Sequence, residues 1–285
     1  MLYVARRRLA DEPISKLAIW SRRCALFAIA VVLLVVVIVN LGFLEPLPAI
    51  ATLAGSLFFA VVAMLLAFGA FVVIWRQGSR GLGLAVTALA IGLVMMAYPG
   101  YLAVRFYRLP MVNDITTDPI DPPRFEAIAR LRPRGSNSVA YPGAATAKLQ
   151  HTAYPDIEPL MLSVTPVEAY DAALAVITKR KWRIVDARTP QTGRREGRIE
   201  AVARTPLMGF RDDIVVRVRA AEDGARVDVR SASRYGQHDF GANASRIHSL
   251  NEDIDDVAGI EKSKSKLKPP PKAAAPKKGN QRSKR

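Results

Sequence analysis

Asp213-Ile214-Val215-Val216-Arg217-Val218-Arg219-Ala220, the break Ala221-Glu222-Asp223-Gly224, and Ala225-Arg226-Val227-Asp228-Val229-Arg230-Ser231-Ala232-Ser233 form the stretch that decides the fold. In the first arm Ile214, Val216 and Val218 alternate with Val215, Arg217 and Arg219. In the second, Val227, Val229 and Ser231 alternate with Arg226, Asp228 and Arg230. Alternation with a period of two marks strands, and the acidic, glycine-ended break marks a turn. The expectation is an antiparallel hairpin with one face on a core and one wet face. Closing the turn at Ala220 and Ala225 sets Arg217 opposite Asp228. An exposed cross-strand pair of that kind would contribute under about 1 kcal/mol.

The same reading extends outward. Arg198–Thr205 alternates Ile199, Ala201 and Ala203 with Glu200, Val202 and Arg204. Trp182–Thr189 precedes it across a turn at Gln191–Gly197. Ile157–Val164 reads as another strand. Thr165-Pro166-Val167-Glu168 then gives a capping box with proline at the first helical position. The helix it opens runs to about Lys181, with Val167, Tyr170, Leu174 and Ile177 on one face and the cations Lys179, Arg180 and Lys181 at its C-terminus. A last helix, about Ala242–Val257, presents Ile247, Leu250 and Ile254. The order β-α-β-β-β-β-α over residues 151–260 is an α+β domain with an antiparallel sheet. Residues 105–150 carry Pro110, Pro119, Pro122, Pro123, Pro133 and Pro142. They read as an extended connector, with a short helical turn near Phe125–Leu131 and with Phe125 and Ile128 as anchors.

Upstream lie three apolar runs, Cys24–Leu44, Ala49–Trp75 and Gly81–Val104. Residues 24–104 contain three charges: Glu45, Arg76 and Arg80. About 20 apolar residues span a bilayer as a helix, so the expectation is a three-helix transmembrane anchor. The first run exceeds a signal-peptide core and lacks a good cleavage site, so it reads as an uncleaved anchor. Arg6, Arg7, Arg8, Lys16, Arg22 and Arg23 precede it, the first loop has no Lys or Arg, and the second has Arg76 and Arg80. The distribution of these cations predicts a cytoplasmic N-terminus (residues 1–23), hence a domain on the periplasmic side of an inner membrane. The absence of Asp, Glu, Lys, Arg and His inside the spans argues for an anchor rather than a transporter.

Ser56, Ala60, Ala63, Ala67 and Ala70, and Gly81, Ala85, Ala88 and Gly92, form small-residue stripes. They suit either a specific homo-oligomer interface or packing of the second and third spans as a hairpin.

The formal charge of +16 divides unevenly. Residues 1–108 carry +7, residues 109–260 carry 21 charges of each sign, and residues 261–285 carry +9. The basic character belongs to the ends. The domain is neutral and lacks the positive excess of a nucleic-acid-binding fold. The tail 261–285 mixes Lys, Pro, Ala and Ser and reads as disordered. It could meet anionic lipid or another anionic polymer, or simply stay solvated. One cysteine, Cys24, excludes an internal disulfide and any Cys-based zinc site.

Three blocks occur in order: Asn113-Asp114-Ile115-Thr116-Thr117-Asp118 with Pro122-Pro123-Arg124-Phe125; Arg198 to Thr205 with Gly209-Phe210-Arg211-Asp212-Asp213; and Val227 to Arg234 with Asp239-Phe240-Gly241-Ala242-Asn243-Ala244-Ser245-Arg246-Ile247. Together they resemble the bacterial family catalogued as domain of unknown function 1499, over residues 113–256, and the spans resemble those of some proteobacterial members. The resemblance implies an architecture and no established activity. It singles out Asp114, Thr117, Asp118, Glu200, Asp213, Asp228 and Asp239 as motif positions.

Two chemical readings follow for the domain. Arg217, Arg230, Arg234 and Arg246 could converge with Ser231, Ser233 and Asn243 on an anionic ligand, since guanidinium forks suit carboxylate and phosphate. Alternatively the same arginines pair with Asp212, Asp213, Asp228 and Asp239 and hold the sheet to the last helix. Asp212 and Asp213 are strand neighbours pointing to opposite faces, a poor start for a metal site. His151, His238 and His248 have no metal-binding spacing, and no phosphate loop or nucleophile elbow occurs. No cofactor and no metal is expected. The leading functional reading is a non-enzymatic membrane-anchored module binding a partner or an anionic ligand. A hydrolase or transferase using Asp213, Ser231 or His238 is the second, and a cytoplasmic-facing scaffold with a nucleic-acid- or lipid-binding tail is the third.

Overall fold

The computed structural model describes residues 12–190, 196–205 and 207–267, and of residues 260–267 the backbone alone. The expected basic residues 1–11, most of the 191–197 turn and the tail beyond 267 lie outside the described residues.

Three long helices come first: α1 (Lys16–Asn40), α2 (Pro46–Gln77) and α3 (Leu82–Arg108). Each is long and apolar enough to cross a membrane. α1 starts and ends earlier than the apolar run suggested, taking Lys16, Arg22 and Arg23 into its first turns, where long cationic side chains can reach water from a helix end. The small-residue stripes face the other helices of the same chain. Ser56, Ala60, Ala63, Ala67, Ala70, Ala85, Ala88 and Gly92 are buried, and a Cβ on Gly92 would sit 2.4 Å from Met64 Cγ. Large apolar side chains such as Leu34, Phe58 and Leu65 point outward. Small inside and large outside suits helices packed in lipid, where close backbone approach replaces hydrophobic drive. Exposed Trp20 and Trp75 mark one end of the bundle; Phe43, Tyr101 and Tyr107 mark the other. At 1.5 Å per residue the stretch between Trp20 and Phe43 suits a hydrocarbon layer of about 30 Å.

The two ends of the bundle have different companions. At one, Ser15 N–H donates to Arg80 O (2.9 Å) and Arg80 N–H donates to Pro13 O (3.1 Å), tying the chain before α1 to the α2–α3 loop. At the other lies the α+β domain.

That domain contains β1 (Asp114–Thr116), α4 (Ala127–Leu131), α5 (Ala144–Ala153), β2 (Leu160–Leu162), α6 (Pro166–Lys179), β3 (Arg183–Arg188), β4 (Glu196–Arg204), β5 (Arg211–Ala221), β6 (Gly224–Ser233) and α7 (Ala242–Leu267). From β2 onward the order is the expected β-α-β-β-β-β-α. The sheet is antiparallel, ordered β1-β6-β5-β4-β3, with β2 also on β6. Thr165 and Glu168 form the expected capping box. On α6, however, Val167 is exposed, and Ala169, Tyr170, Ala172, Ala173, Val176 and Ile177 are the buried residues; Val167 stands in the first turn, to one side of that stripe. α7 runs past Val257 to Leu267 and so takes the first residues of the expected tail.

The inner face of the sheet packs Ile199, Ile214, Val216, Val227 and Val229 against α6 and α7 with Ile177, Ile247, Leu250 and Ile254. Most of the outer face is covered rather than wet. The segment 117–142 lies across it like a strap, with Phe125 and Ile128 packed on Val202, Val215 and Ala232. Both expected anchors are thus in use. The connector is also less extended than its prolines suggest, since it supplies β1, α4 and the start of α5.

β1 adds to the edge of β6 through Asp114↔Ala232, Ile115↔Ser231 and Thr116↔Arg230. On the open side of β1 the buried Gln150 side chain bonds the Thr116 backbone twice, donating Nε2–H to the carbonyl (2.7 Å) and accepting the N–H (3.1 Å). A side-chain amide thereby takes the place of a further strand at this edge. The β5–β6 turn needs Gly224 (φ 144°), where a Cβ would stand 2.1 Å from Leu162 O on β2.

Candidate functional site

The outer face is built in rows by the register. Arg217 lies opposite Asp228, as the turn length requires. The pair is buried rather than exposed, at 5% and 0%; the strap excludes water from it. Arg217 Nη2–H donates to Asp228 Oδ2 (3.0 Å) and to Asp121 O (2.7 Å), and Nη1–H donates to Asp121 Oδ2 (3.0 Å). Arg219 and Arg226 share Asp228 and Asp118 with it. Three arginines thus meet three aspartates, with no charge left over. Arg217 holds the Asp121 carboxyl below its ordinary range, helped by Arg219. Thr117 closes the next step by pairing with the Val229 backbone in both directions (2.9 Å each).

One row further, Arg230 is buried at 1%. Its Nε–H and Nη2–H donate to the two oxygens of Asp114 (2.9 and 2.7 Å), and its remaining donors reach Pro123 O and Val139 O (3.0 Å each). The guanidinium lies over Phe125, 4.7 Å from the ring centre, with Tyr141 at 5.5 Å. A planar fork bonded in its plane and stacked on its faces can leave water at tolerable cost. Burial pushes the Asp114 carboxyl up and Arg230 works against it. Burial, with the Asp114 charge, also pushes the Tyr141 phenol up to about 12.

Asp213, fully buried, takes Arg132 (2.6 Å) and Arg234 (2.7 Å). Glu200, also fully buried, accepts the N–H groups of Glu126 (2.8 Å), Ala127 (3.2 Å) and Ile128 (2.8 Å). It satisfies the free donors at the start of α4 from a strand over 70 residues away in sequence.

The inner face holds a separate polar cluster at the start of α7. Asp239 caps that helix, accepting the N–H groups of Gly241 (2.8 Å) and Asn243 (2.9 Å). Ser231 Oγ–H donates to Asn243 Oδ1 (2.7 Å), Asn243 Nδ2–H donates to Ser233 Oγ (3.0 Å), and Arg246 reaches Ser231, Asn243 and Asp212. Burial raises the Asp212 carboxyl while Arg246 and Ser233 pull it back.

The seven residues expected to converge are therefore divided. Arg217, Arg230 and Arg234 belong to the outer face; Ser231, Ser233, Asn243 and Arg246 belong to the inner one. Each of the four arginines is paired with an aspartate: Arg217 with Asp228, Arg230 with Asp114, Arg234 with Asp213 and Arg246 with Asp212. Asp213 and Ser231 are likewise separated by the thickness of the sheet. His238 lies elsewhere, accepting Phe240 N–H at Nδ1 (2.8 Å) and stacking on Phe106 of α3. Among the described residues no group of three His, Cys, Asp or Glu could hold a metal ion.

Cations without partners gather at another place. A cavity of about 360 Å³ opens on the outer face beyond the strap. Arg180, Lys181, Arg183, Arg204, Arg211 and Arg234 line it, and no acidic residue does. Arg234 is held by Asp213 and Arg180 by Asp253. Lys181, Arg183, Arg204 and Arg211 are exposed, and among the described residues their side chains have no ion-pair or hydrogen-bond partner. Arg204 and Arg211 are direct register partners on β4 and β5, an unfavourable juxtaposition unless something negative lies between or above them. Apolar alternation passes over these residues because they stand at strand ends. The turn after Arg204 is their one sequence signal, since closing it sets the two arginines face to face.

Fold and site define a class: an α+β domain with a charge-balanced ionic layer on one side of its sheet, attached to three apolar helices. Residues 114–254 match the family model described as Protein of unknown function (DUF1499). The matched segment begins at β1 and ends within α7, so it covers the strap, the sheet and the ionic layer, and leaves out the three helices. No curated protein and no solved structure matches the chain.

Proposed function

We propose that the chain is a membrane-anchored binding protein whose α+β domain takes an anionic group, phosphate or carboxylate, in the cavity between Arg183, Arg204 and Arg211. The observation that carries this reading is local charge. Elsewhere on this face of the sheet the described strand arginines (Arg188, Arg198, Arg217, Arg219, Arg226 and Arg230) each pair with an aspartate or glutamate, and here four cations line a concave surface that has no acidic residue in its wall. Guanidinium forks at the wall of a cavity are suited to planar or tetrahedral oxyanions. Of the arginines expected to bind an anion, Arg217, Arg230 and Arg246 are neutralised by aspartates, and Arg234, held by Asp213, lines the wall of this cavity.

The test is a titration of inorganic phosphate into the full chain in non-ionic detergent at low salt. Saturable binding is expected, with loss in Arg204→Gln/Arg211→Gln and retention in Lys148→Gln, an exposed cation away from the cavity. Absence of saturable binding, or equal binding by the double variant, overturns the reading.

The orientation we favour puts the domain outside the cytoplasm of a bacterial inner membrane. Its support is the cation count: the chain start and the α2–α3 loop share one end of the bundle and carry the Lys and Arg residues of the short loops. An alkaline phosphatase fusion after Ile260 should be active; an inactive, stably made fusion would reverse the orientation.

A further inference from the structure

The cavity has a second property, its distance from the membrane helices. Arg204 and Arg211 are the last paired residues before the β4–β5 turn. The described residues 207–209 of that turn meet the helices. Met208 packs in the cluster formed by Val35, Val39 and Ala49 of α1 and α2. Asn40, the last residue of α1, donates its Nδ2–H to Leu207 O (3.3 Å). At Gly209 (φ 62°) a Cβ would stand 3.4 Å from Val39 Cγ1 and 3.1 Å from Arg204 Nη2. One short turn therefore touches a membrane helix on one side and a cavity arginine on the other. Leu41, Phe43 and Leu207, exposed large apolar residues, lie along the same end.

A soluble anion would not require this placement. A lipid does, because its phosphate is fixed at the depth where the apolar span ends and its acyl chains need an apolar surface immediately below. We infer that the ligand of this cavity is the phosphate-bearing headgroup of an anionic lipid in the leaflet against which the domain rests. Its oxygens meet Arg204 and Arg211, Lys181 and Arg183 complete the wall, and its chains lie along the ends of α1 and α2. The volume, about 360 Å³, is at the lower end of the range of small-molecule sites and suits a headgroup rather than a whole lipid. The inference rests on the anion reading above and adds the source of the anion.

The experiment uses the full chain in non-ionic detergent micelles doped with phosphatidylglycerol or with phosphatidylcholine, read by native mass spectrometry, and compares soluble glycerol phosphate as a competitor. Phosphatidylglycerol should be retained at least about tenfold over phosphatidylcholine, a difference of about 1.4 kcal/mol. The preference should disappear in Arg204→Gln/Arg211→Gln, return in part in Arg204→Lys/Arg211→Lys, and persist in Lys148→Gln. Glycerol phosphate should compete weakly. If glycerol phosphate binds as tightly as the intact lipid, through the same arginines, the lipid inference falls and the anion reading stands. If inorganic phosphate, glycerol phosphate and lipid all fail to bind in an arginine-dependent way, both fall. Circular dichroism and an unchanged melting temperature show that the variants are folded, and both arginines lie outside the buried network, so their loss leaves the fold intact.

Discussion

The outer face of one sheet carries two populations of arginine. Under the strap, Arg217, Arg219, Arg226 and Arg230 meet Asp114, Asp118, Asp121 and Asp228, and the layer is closed and neutral. Beyond the strap, Arg183, Arg204 and Arg211 face a cavity without a counter-ion. The side chains are chemically identical and stand on the same face of one sheet, with β5 contributing to both groups. What differs is the segment that covers them: residues 117–142 bring Asp118, Asp121 and backbone carbonyls to the first group and the apolar Leu131 to the second. Local charge balance, not residue type, separates scaffold from candidate site in this domain.

The comparison can be broken most directly at Arg230. If the covered arginines are structural, Arg230→Ala leaves the buried Asp114 without its partner, and removing one member of a buried ion pair costs about 3–5 kcal/mol. A matching loss is expected for Asp114→Ala. The double variant should lose less than the sum, because each single change orphans a charge that the double change removes. Chemical denaturation of the full chain in micelles, followed by tryptophan fluorescence, measures this; a loss under about 1 kcal/mol would mean that the layer is not a scaffold.

Glu200→Gln is the next step down. An amide keeps the shape but has one accepting oxygen in place of two, so at least one of the three N–H groups at the start of α4 loses its acceptor and faces an NH2 group. The expected cost is about 1.5–3 kcal/mol, the range for hydrogen bonds to charged groups. Faster amide exchange at Ile128 than at Ile214 would assign the loss to detachment of the strap rather than to the sheet.

How much of this was legible depends on sequence distance. The Arg217–Asp228 register follows from a turn length and the α6 cap from four adjacent residues, and both are present. The partners of Arg230 and Glu200 were not legible, because Asp114 is 116 positions from Arg230 and α4 over 70 from Glu200. β1 has three residues in a proline-rich segment, too few for alternation to register. The division of Arg230 from Ser231 was available, since adjacent strand residues point to opposite faces. The same rule separates Asp212 from Asp213. The wet-face expectation failed because alternation records which side chains are polar and says nothing of what lies over them. The equal count of 21 charges of each sign in residues 109–260 was the one global hint that the polar face closes on itself.

The uncovered arginines should respond in the opposite sense. Arg204→Gln removes one of two like charges held directly across a strand pair. Stability should stay unchanged or rise by less than about 1 kcal/mol, while anion binding falls. Melting temperatures of Arg204→Gln and Arg211→Gln, taken with and without phosphate, give both readings. Destabilisation by more than about 1 kcal/mol would return these residues to the scaffold and dissolve the contrast.

The smallest effect expected is at the rim of the covered layer, where pH distinguishes held carboxylates from free ones. Burial alone would raise the Glu126 carboxyl, but Arg198 and Arg188 outweigh it and hold the group below its ordinary 4.5. A carboxylate lowered in the folded state contributes stability above its unfolded value, and that contribution is lost as pH falls through the folded one. Folding stability should therefore drop on acidification below about pH 4.5, and Glu126→Gln should flatten the drop while changing little at neutral pH, because the group is half exposed and its pairs are screened. Urea midpoints across the acid limb, compared with Arg204→Gln, provide the check. The glutamine variant should lose part of the slope, whereas Arg204, having no carboxylate partner, should leave it as it was. An acid limb altered equally by both would mean that the cavity arginines act on the same carboxylates, and that the two populations are one network.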